Sequence, residues 1–258
     1  MLRIVDWNIS YQNSAGPKAD LLDSVVKGKS FIALLQEVTP KQYEYLRDHY
    51  SNIRYSLDYR KPGKFDTRQR QLGIAVIASE DLIIENAAVL ERCLLPDRTL
   101  LIDVKTRKET IRLIGLHSIT GIAHKKAKSM QFLSFAECID SYKPNIVAFD
   151  ANEPKKDHFR LEDMEFFDNE DQGTGARTFF ATLNESELVD SYLANYDTAE
   201  YREGEPITVS HKIIRGDKNK RYDFVYVDAK YNIINAEYLY ENAIDAGSDH
   251  ALVVVDIE

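Results

Sequence analysis

The sequence predicts an α/β protein with mixed sheets, and three observations carry that reading. Near the amino terminus, apolar β-branched runs alternate with amphipathic helical stretches. A series of strand-like runs follows with hardly a helix between them, up to a long helical stretch beyond residue 120. Several of the apolar runs begin or end on a polar residue of the kind that does chemistry. With 258 residues, no low-complexity linker and no short repeat, residues 1–258 are expected to form a single domain.

Taken in order, Leu2 to Asn8 reads as a strand, and a polar loop from Ser10 to Pro17 leads into a helix from about Lys18. Leu21, Leu22, Val25 and Val26 recur there at helical spacing, and Gly28 is a natural stop. Phe31 to Leu35 is a buried strand ending at Gln36-Glu37; Thr39 then caps a second helix with Pro40 at its first position. Strands are expected over Ile53–Leu57, Leu72–Ala78, Leu82–Leu90, Leu100–Val104 and Thr110–Leu116, with Thr106 to Glu109 as a hairpin connection. A helix over about Ala123 to Tyr142 precedes the strand Ile146–Phe149. Residues 155–220 read mostly as loops with one short helix at Glu187 to Ala194, and Tyr222–Val227, Ile233–Tyr240 and Ala251–Ile257 are the closing strands.

Composition narrows the classes. An apolar fraction of 44% with 29% charged residues is that of an ordinary globular chain. Two cysteines, Cys93 and Cys138, make no disulfide framework, which points to a reducing compartment. The start, Met1 to Asp6, has no long apolar segment, and no stretch approaches the ~20 apolar residues of a spanning helix. A cytoplasmic protein with no membrane partner is expected. The formal net charge of −9 argues against a general electrostatic grip on nucleic acid but leaves room for a local patch.

The polar strand ends are the chemical signal. Asn8 follows Ile4-Val5-Asp6-Trp7; Glu37 follows Ala33-Leu34-Leu35-Gln36; His117 follows Leu113-Ile114-Gly115-Leu116. Asp150, with Asn152 two places on, follows Ile146-Val147-Ala148-Phe149. Asp223 opens one strand, and Gly247-Ser248-Asp249-His250 opens the last. Each alone has an ordinary reading: a helix cap for Glu37, a turn for Asn8, an Asx turn for Asp150-Ala151-Asn152, a satisfied structural group for His117 or Asp223. Together they are the set that a packed sheet would gather at one edge, where open α/β folds place ligands.

The ordered series Trp7-Asn8, Leu35-Gln36-Glu37-Val38, Leu116-His117-Ser118, Asp150-Ala151-Asn152, Tyr222-Asp223-Phe224-Val225 and Ser248-Asp249-His250 resembles the endonuclease/exonuclease/phosphatase superfamily, typified by deoxyribonuclease I. Gln131, on the helix after His117, suits the same pattern. The resemblance spans the whole chain. It implies an α/β four-layer sandwich, two mixed sheets packed face to face with helices outside, and divalent-metal-dependent phosphoester hydrolysis. By position, Glu37 would bind Mg²⁺, or Mn²⁺ in its place, with Asn8 and Asp249 completing or adjoining its shell. Asp150 would orient or deprotonate the attacking water, and Asn152 would donate to that water or to the phosphoryl oxygens. His250, steadied by Asp223, and His117 would bracket the scissile phosphate. Histidine at 117, where abasic-site endonucleases carry tyrosine, resembles the deoxyribonuclease-I, sphingomyelinase, inositol-polyphosphate-phosphatase, deadenylase and tyrosyl-DNA-phosphodiesterase branches.

The chemistry asks for these residue types. A phosphodiester is anionic and repels a nucleophile, so a metal ion and imidazoles must offset charge on its oxygens. Magnesium takes oxygen ligands and keeps several waters, so one or two carboxylates and an amide suffice. Basic residues also cluster beside the strand ends: Arg60, Lys61, Lys64, Arg68 and Arg70; Lys125, Lys126 and Lys128; Lys155 and Lys156; Arg215, Lys218, Lys220 and Arg221. They predict a basic rim on an acidic body, with Arg68, Arg70 and Ser248 as substrate contacts. The expected substrate is nucleic acid; a small phosphoester such as a phosphoinositide or nucleotide is the alternative, and an inactive binding module the third reading.

Overall fold

The computed structural model describes residues 1–61, 71–167, 174–213 and 216–258, without the side chains of 121–125. The chain runs β1 (Leu2–Asn8), α1 (Gly16–Val26), β2 (Phe31–Val38), α2 (Pro40–His49), β3 (Ile53–Tyr55) and β4 (Gly73–Ala78). It continues with β5 (Ile83–Ala88), β6 (Thr99–Lys105), β7 (Thr110–His117), α3 (Gly121–Tyr142) and β8 (Ile146–Asp150). The last part is α4 (Gly175–Glu185), β9 (Leu188–Asp190), β10 (His211–Ile213), β11 (Lys218–Lys220), β12 (Asp223–Asp228), β13 (Ile233–Leu239), α5 (Tyr240–Asp245) and β14 (Leu252–Ile257).

One six-stranded sheet has the order β13-β14-β1-β2-β4-β3 and the other β5-β6-β7-β8-β12-β9. Each is mixed: β1 and β2 pair in parallel, as do β7 and β8, and the remaining neighbours are antiparallel. The sheets meet face to face over Ile4, Ile32, Leu34, Val253 and Val255 from one side and Ile102, Leu113, Ala148, Val225 and Val227 from the other. Gly115 permits this approach, because a Cβ there would meet Leu34 and Ile74 at 3.1 and 3.2 Å. On the outer face of the first sheet Val5, Trp7, Ala33 and Val254 take α1, α2 and α5 through Ala19, Leu22, Leu46 and Ala243. On the outer face of the second, Phe149, Phe224 and Tyr226 take α3 and α4 through Phe132, Phe135, Phe179 and Phe180. Two covered sheets make the four layers, and a buried Val, Leu, Ile or Phe contributes about 1.5–3 kcal/mol relative to its exposed state.

Local signals held where they were strongest. Thr39 caps α2 in a capping box, its hydroxyl accepting from the Gln42 N–H at 3.2 Å while Gln42 Oε1 accepts from the Thr39 N–H at 2.9 Å. The expected helix at Glu187–Ala194 is a correction: the helix there is α4, Gly175–Glu185, followed by β9 and a 3-10 turn at Leu193–Asn195. Phe179, Phe180 and Leu183 give α4 its buried face, and β9 is held as an edge strand by pairing Asp190 with Tyr226 and Leu188 with Asp228. Among the described residues no helix is long and apolar enough to cross a membrane.

Candidate active site

Strand parity gathers the site. Ile4, Ile32, Leu113, Ala148 and Val225 face the core between the sheets, so residues an even number of places along face it too. Those residues are Asp6 and Asn8 on β1, Gln36 on β2, His117 on β7, Asp150 on β8 and Asp223 on β12. Register then sets three of them in a row, with His117 paired to Asp150 and Asp150 to Asp223. The apolar layer thus ends, at one edge of the sandwich, in a polar one fed by both sheets.

Asp150 is the hub. One carboxylate oxygen accepts from Asn8 Nδ2 at 2.9 Å, across the gap between sheets, and from Asn152 Nδ2 at 3.3 Å. The other accepts the Asn152 N–H at 2.8 Å. His117 Nε2 lies 3.7 Å and His250 Nε2 4.0 Å from the oxygen that accepts from Asn8. Asn152 reaches this geometry through a left-handed backbone (φ 49°), and its second amide proton goes to the Ser118 carbonyl at 3.1 Å. Both amide protons are therefore engaged in fixing Asp150 and the turn beside it.

The two histidines differ in charge. His250 Nδ1 faces both oxygens of buried Asp223 at 2.9 and 3.1 Å, and its main chain is anchored by the Trp7 indole N–H donating to the His250 carbonyl at 3.1 Å. Burial lowers the pKa of His250, but the Asp223 and Asp150 carboxylates outweigh it and raise it to about 10. His117 is held well below the usual histidine range by burial, then by the charges of Arg98 and His250, so it is neutral. Burial raises Asp150 to about 7, and Asp223 adds to the rise against the opposing pull of His250, Asn8 and the Asn152 N–H. Asp6, beneath them and bonded to Gln36, is raised well above the carboxylate range by burial and by Asp223.

Beside this cluster stands a second group with oxygen donors. Glu37 sits at a register break between β2 and β4 with φ 57°, a left-handed conformation that costs about 1–2 kcal/mol for a residue with a Cβ. The bulge turns its half-buried carboxylate to within 3.5 Å of His117 Nε2. The loop beneath is tied down by Lys18, whose buried Nζ donates to the Ser10 carbonyl at 2.7 Å, and by Gln42, whose amide donates to the carbonyls of Ser10 and Asn13 at 2.9 Å. Burial lowers the Lys18 pKa to about 8, against the pull of Asp249 and Glu37. Asp249 is exposed at the rim, and buried Ser248 spends its hydroxyl within the site, donating to the Asn8 carbonyl at 2.6 Å and accepting from the His250 N–H at 3.1 Å. Glu37, Asn8 and Asp249 carry oxygen donors of the kind that Mg²⁺ takes, and Asn8 Oδ1 also accepts the Ser10 N–H at 3.0 Å.

Arg98 is a side chain at this site that motif reasoning missed. It lies at the start of β6's approach, and its Nη1 stands 3.1 Å from Nδ1 and 3.3 Å from Nε2 of His117. Burial lowers its pKa, and Glu37, Asp97 and Asp150 oppose that fall, so the guanidinium serves this carboxylate cluster. The Pro96-Asp97-Arg98 turn carried no signal beyond its proline.

The basic rim is corrected in two places. Lys128 is buried and ion-paired with buried Glu153 at 2.8 Å, its Nζ also donating to the Asn152 carbonyl at 2.7 Å. Arg221 is buried, bonded to Asp190 at 2.6 Å and stacked over Phe224 at 4.5 Å. Both faced the interior because a carboxylate distant in sequence waited there. Lys61 and Lys155 are exposed but paired with Glu91 and Glu165 at 2.9 and 3.4 Å. Lys64, Arg68, Arg70 and Arg215 lie outside the described residues, as does the side chain of Lys125.

No protein-family model matches the sequence, and no curated protein matches it significantly. Solved structures do. D. rerio TDP2, crystallised with a single-stranded DNA product, superposes with a TM-score of 0.65 at 13% identity over 100% of this chain and 98% of that one. The Neisseria 3′ phosphatase NExo, bound to a product DNA hairpin, gives 0.63 at 16% identity over 100% of both chains. A Bacteroides thetaiotaomicron mannosyl-6-phosphatase gives 0.62 at 14% identity, again over 100% of both. The chain shares with these structures the deoxyribonuclease-I-like sandwich fold, the fold that its ordered motifs imply.

Proposed function

We propose that this chain is a divalent-metal-dependent phosphodiesterase of nucleic acid, an endo- or exonuclease or a DNA end-processing enzyme, working as one domain over residues 1–258 in the cytoplasm. The observation that carries it is the convergence, from both sheets, of Glu37, Asn8, His117, Asp150, Asn152, Asp223 and His250 on one edge of the sandwich. Glu37, Asn8 and Asp249 would hold Mg²⁺, or Mn²⁺ in its place, and the bound ion would offset charge on the phosphoryl oxygens.

The remaining work belongs to the chain. Asp150, fixed by Asn8 and Asn152, accepts the proton of the attacking water, and a pKa near neutrality suits that role. His250, charged and oriented by Asp223, donates to a phosphoryl or leaving-group oxygen. Neutral His117 and the guanidinium of Arg98 close the other side, where the cation meets charge growing in the transition state. The test is a hydrolysis panel of single- and double-stranded DNA, RNA, nucleotides, phosphoinositides and sugar phosphates with Mg²⁺, Mn²⁺ or EDTA. Cleavage of a nucleic acid that needs the ion supports the reading; undiminished turnover in EDTA refutes it.

A specific observation favours a second reading. With Lys128 and Arg221 internal and Lys61 and Lys155 paired, the described part of the rim offers a polymer few free cations. A small phosphoester touches one or two phosphates and needs no such rim. Exclusive hydrolysis of a nucleotide, phosphoinositide or sugar phosphate in the same panel selects it.

A further inference from the structure

A third histidine stands beside His250 and has no part in the scheme above. His211 opens β10, and its backbone bridges to His250 while the Ala251 N–H donates to the Ser210 carbonyl at 2.7 Å. Its ring lies between Tyr222, with centroids 5.6 Å apart and planes at 22°, and His250, at 4.4 Å and 33°. His211 Nδ1 is 3.0 Å from the Asp249 carbonyl. A carbonyl only accepts, so that contact places the proton on Nδ1 and leaves a lone pair on Nε2. His250 is held the same way, with Nδ1 against Asp223 and Nε2 turned into the site. Neighbouring imidazoles whose Nδ1 atoms are tied to oxygen acceptors have the outer support that metal-binding histidines use. Ligand atoms of His211, Asp249 and His250 all lie within 4.8 Å of one another. Asp249 is exposed and His211 half-buried, which gives an ion a route in from solvent.

We propose that His211, Asp249 and His250 form a transition-metal site that takes Zn²⁺, and that filling it switches the enzyme off by engaging His250 Nε2. Two imidazoles and one carboxylate select zinc and its neighbours over Mg²⁺, which prefers oxygen alone. Three protein ligands leave the fourth tetrahedral position to water or a substrate oxygen. Zinc displaces the Nε2 proton of His250 into solvent, so the imidazole no longer has a proton to donate. Asp249 belongs to both ligand sets, so zinc also withdraws a donor from the magnesium site. The inhibitory half rests on the phosphodiesterase reading; the binding half does not.

The experiment titrates the full chain with Zn²⁺ by calorimetry in excess Mg²⁺, then repeats it with His211→Ala. One Zn²⁺ per chain is expected, with affinity at least about tenfold weaker in the variant. His211→Asn, which keeps a polar group at the Asp249 carbonyl, covers the case in which the alanine variant lacks a cooperative melt. Zinc affinity equal in wild type and both variants, or displacement of zinc by Mg²⁺, overturns the site. In the second arm, one equivalent of Zn²⁺ should abolish most Mg²⁺-supported hydrolysis by wild type but spare His211→Ala, each read against its own zinc-free rate. Full activity with one Zn²⁺ bound overturns the inhibition. Zinc bound through His211 by a chain that hydrolyses no phosphoester refutes the enzyme reading and leaves the metal site standing.

Discussion

Lys128→Ala tests the internal support of the site. Lys128 and Glu153 are 1% and 0% exposed at their side chains, and the ammonium stands 2.8 Å from Glu153 and 2.7 Å from the Asn152 carbonyl. Phe132 and Phe167 lie 6.0 and 5.8 Å from it, and the Phe167 N–H takes the other Glu153 oxygen at 2.7 Å. Removing one member of a buried ion pair strands the other charge, at a cost of about 3–5 kcal/mol. For a domain of this size each kcal/mol moves Tm by about 2–4 °C, so the expected loss is about 6–20 °C. Scanning calorimetry of Lys128→Ala beside Lys126→Ala checks it, because Lys126 is exposed and should change stability by no more than about 0.5 kcal/mol. Lys128→Met with Glu153→Gln removes both charges and should recover much of the loss. If Lys128→Ala melts together with Lys126→Ala, the pair is not what holds Asn152.

Other outcomes follow from the same geometry. Glu37→Gln should lose activity that excess Mg²⁺ partly restores, read as a raised metal requirement in a rate titration. Arg98→Met should lower kcat by about 10²–10³-fold with KM little changed, by analogy with loss of one preorganised donor, and Arg98→Lys should recover only part because an ammonium lacks the guanidinium fork; a pure KM effect would make Arg98 a binding group. The raised pKa of Asp150 means that its base form is lost as pH falls through about 7, so the acid limb of the Mg²⁺-supported rate should lie nearer neutrality than 3.8. A rate profile flat down to about pH 5 would remove Asp150 as the base. His250, raised from 6.5 to about 10, stabilises the fold fully below pH 6.5, and that contribution should fade as pH rises toward 10 in denaturation curves of wild type but not of His250→Asn. On an Asp150→Asn protein, a polymer substrate should bind with a log–log salt slope of roughly −0.7 to −0.9 per phosphate contacted, whereas a small phosphoester should give a shallow one.

The sequence by itself determined the strands outside residues 155–220, the capped start of α2 and the ordered polar ends. These are local: β-branched runs, a Thr-Pro-x-Gln box and turn residues at fixed offsets act over a few neighbours. It also carried the identity of the groups that meet, from Asn8 to His250. What it left open was which way side chains face. Both sheets are covered on both sides, so their strands are apolar at odd and even positions alike, and no in–out alternation marks the inner face. Only the packing of one sheet on the other showed that Asn8, Gln36, His117, Asp150 and Asp223 share it. The same limit hid Lys128 and Arg221, whose burial depends on Glu153 and Asp190, and Arg98 and Lys18, whose surroundings come from other strands and loops. A lysine or arginine in a polar stretch reads as solvated until a distant carboxylate or carbonyl is brought against it, and bringing it there is the work of tertiary structure.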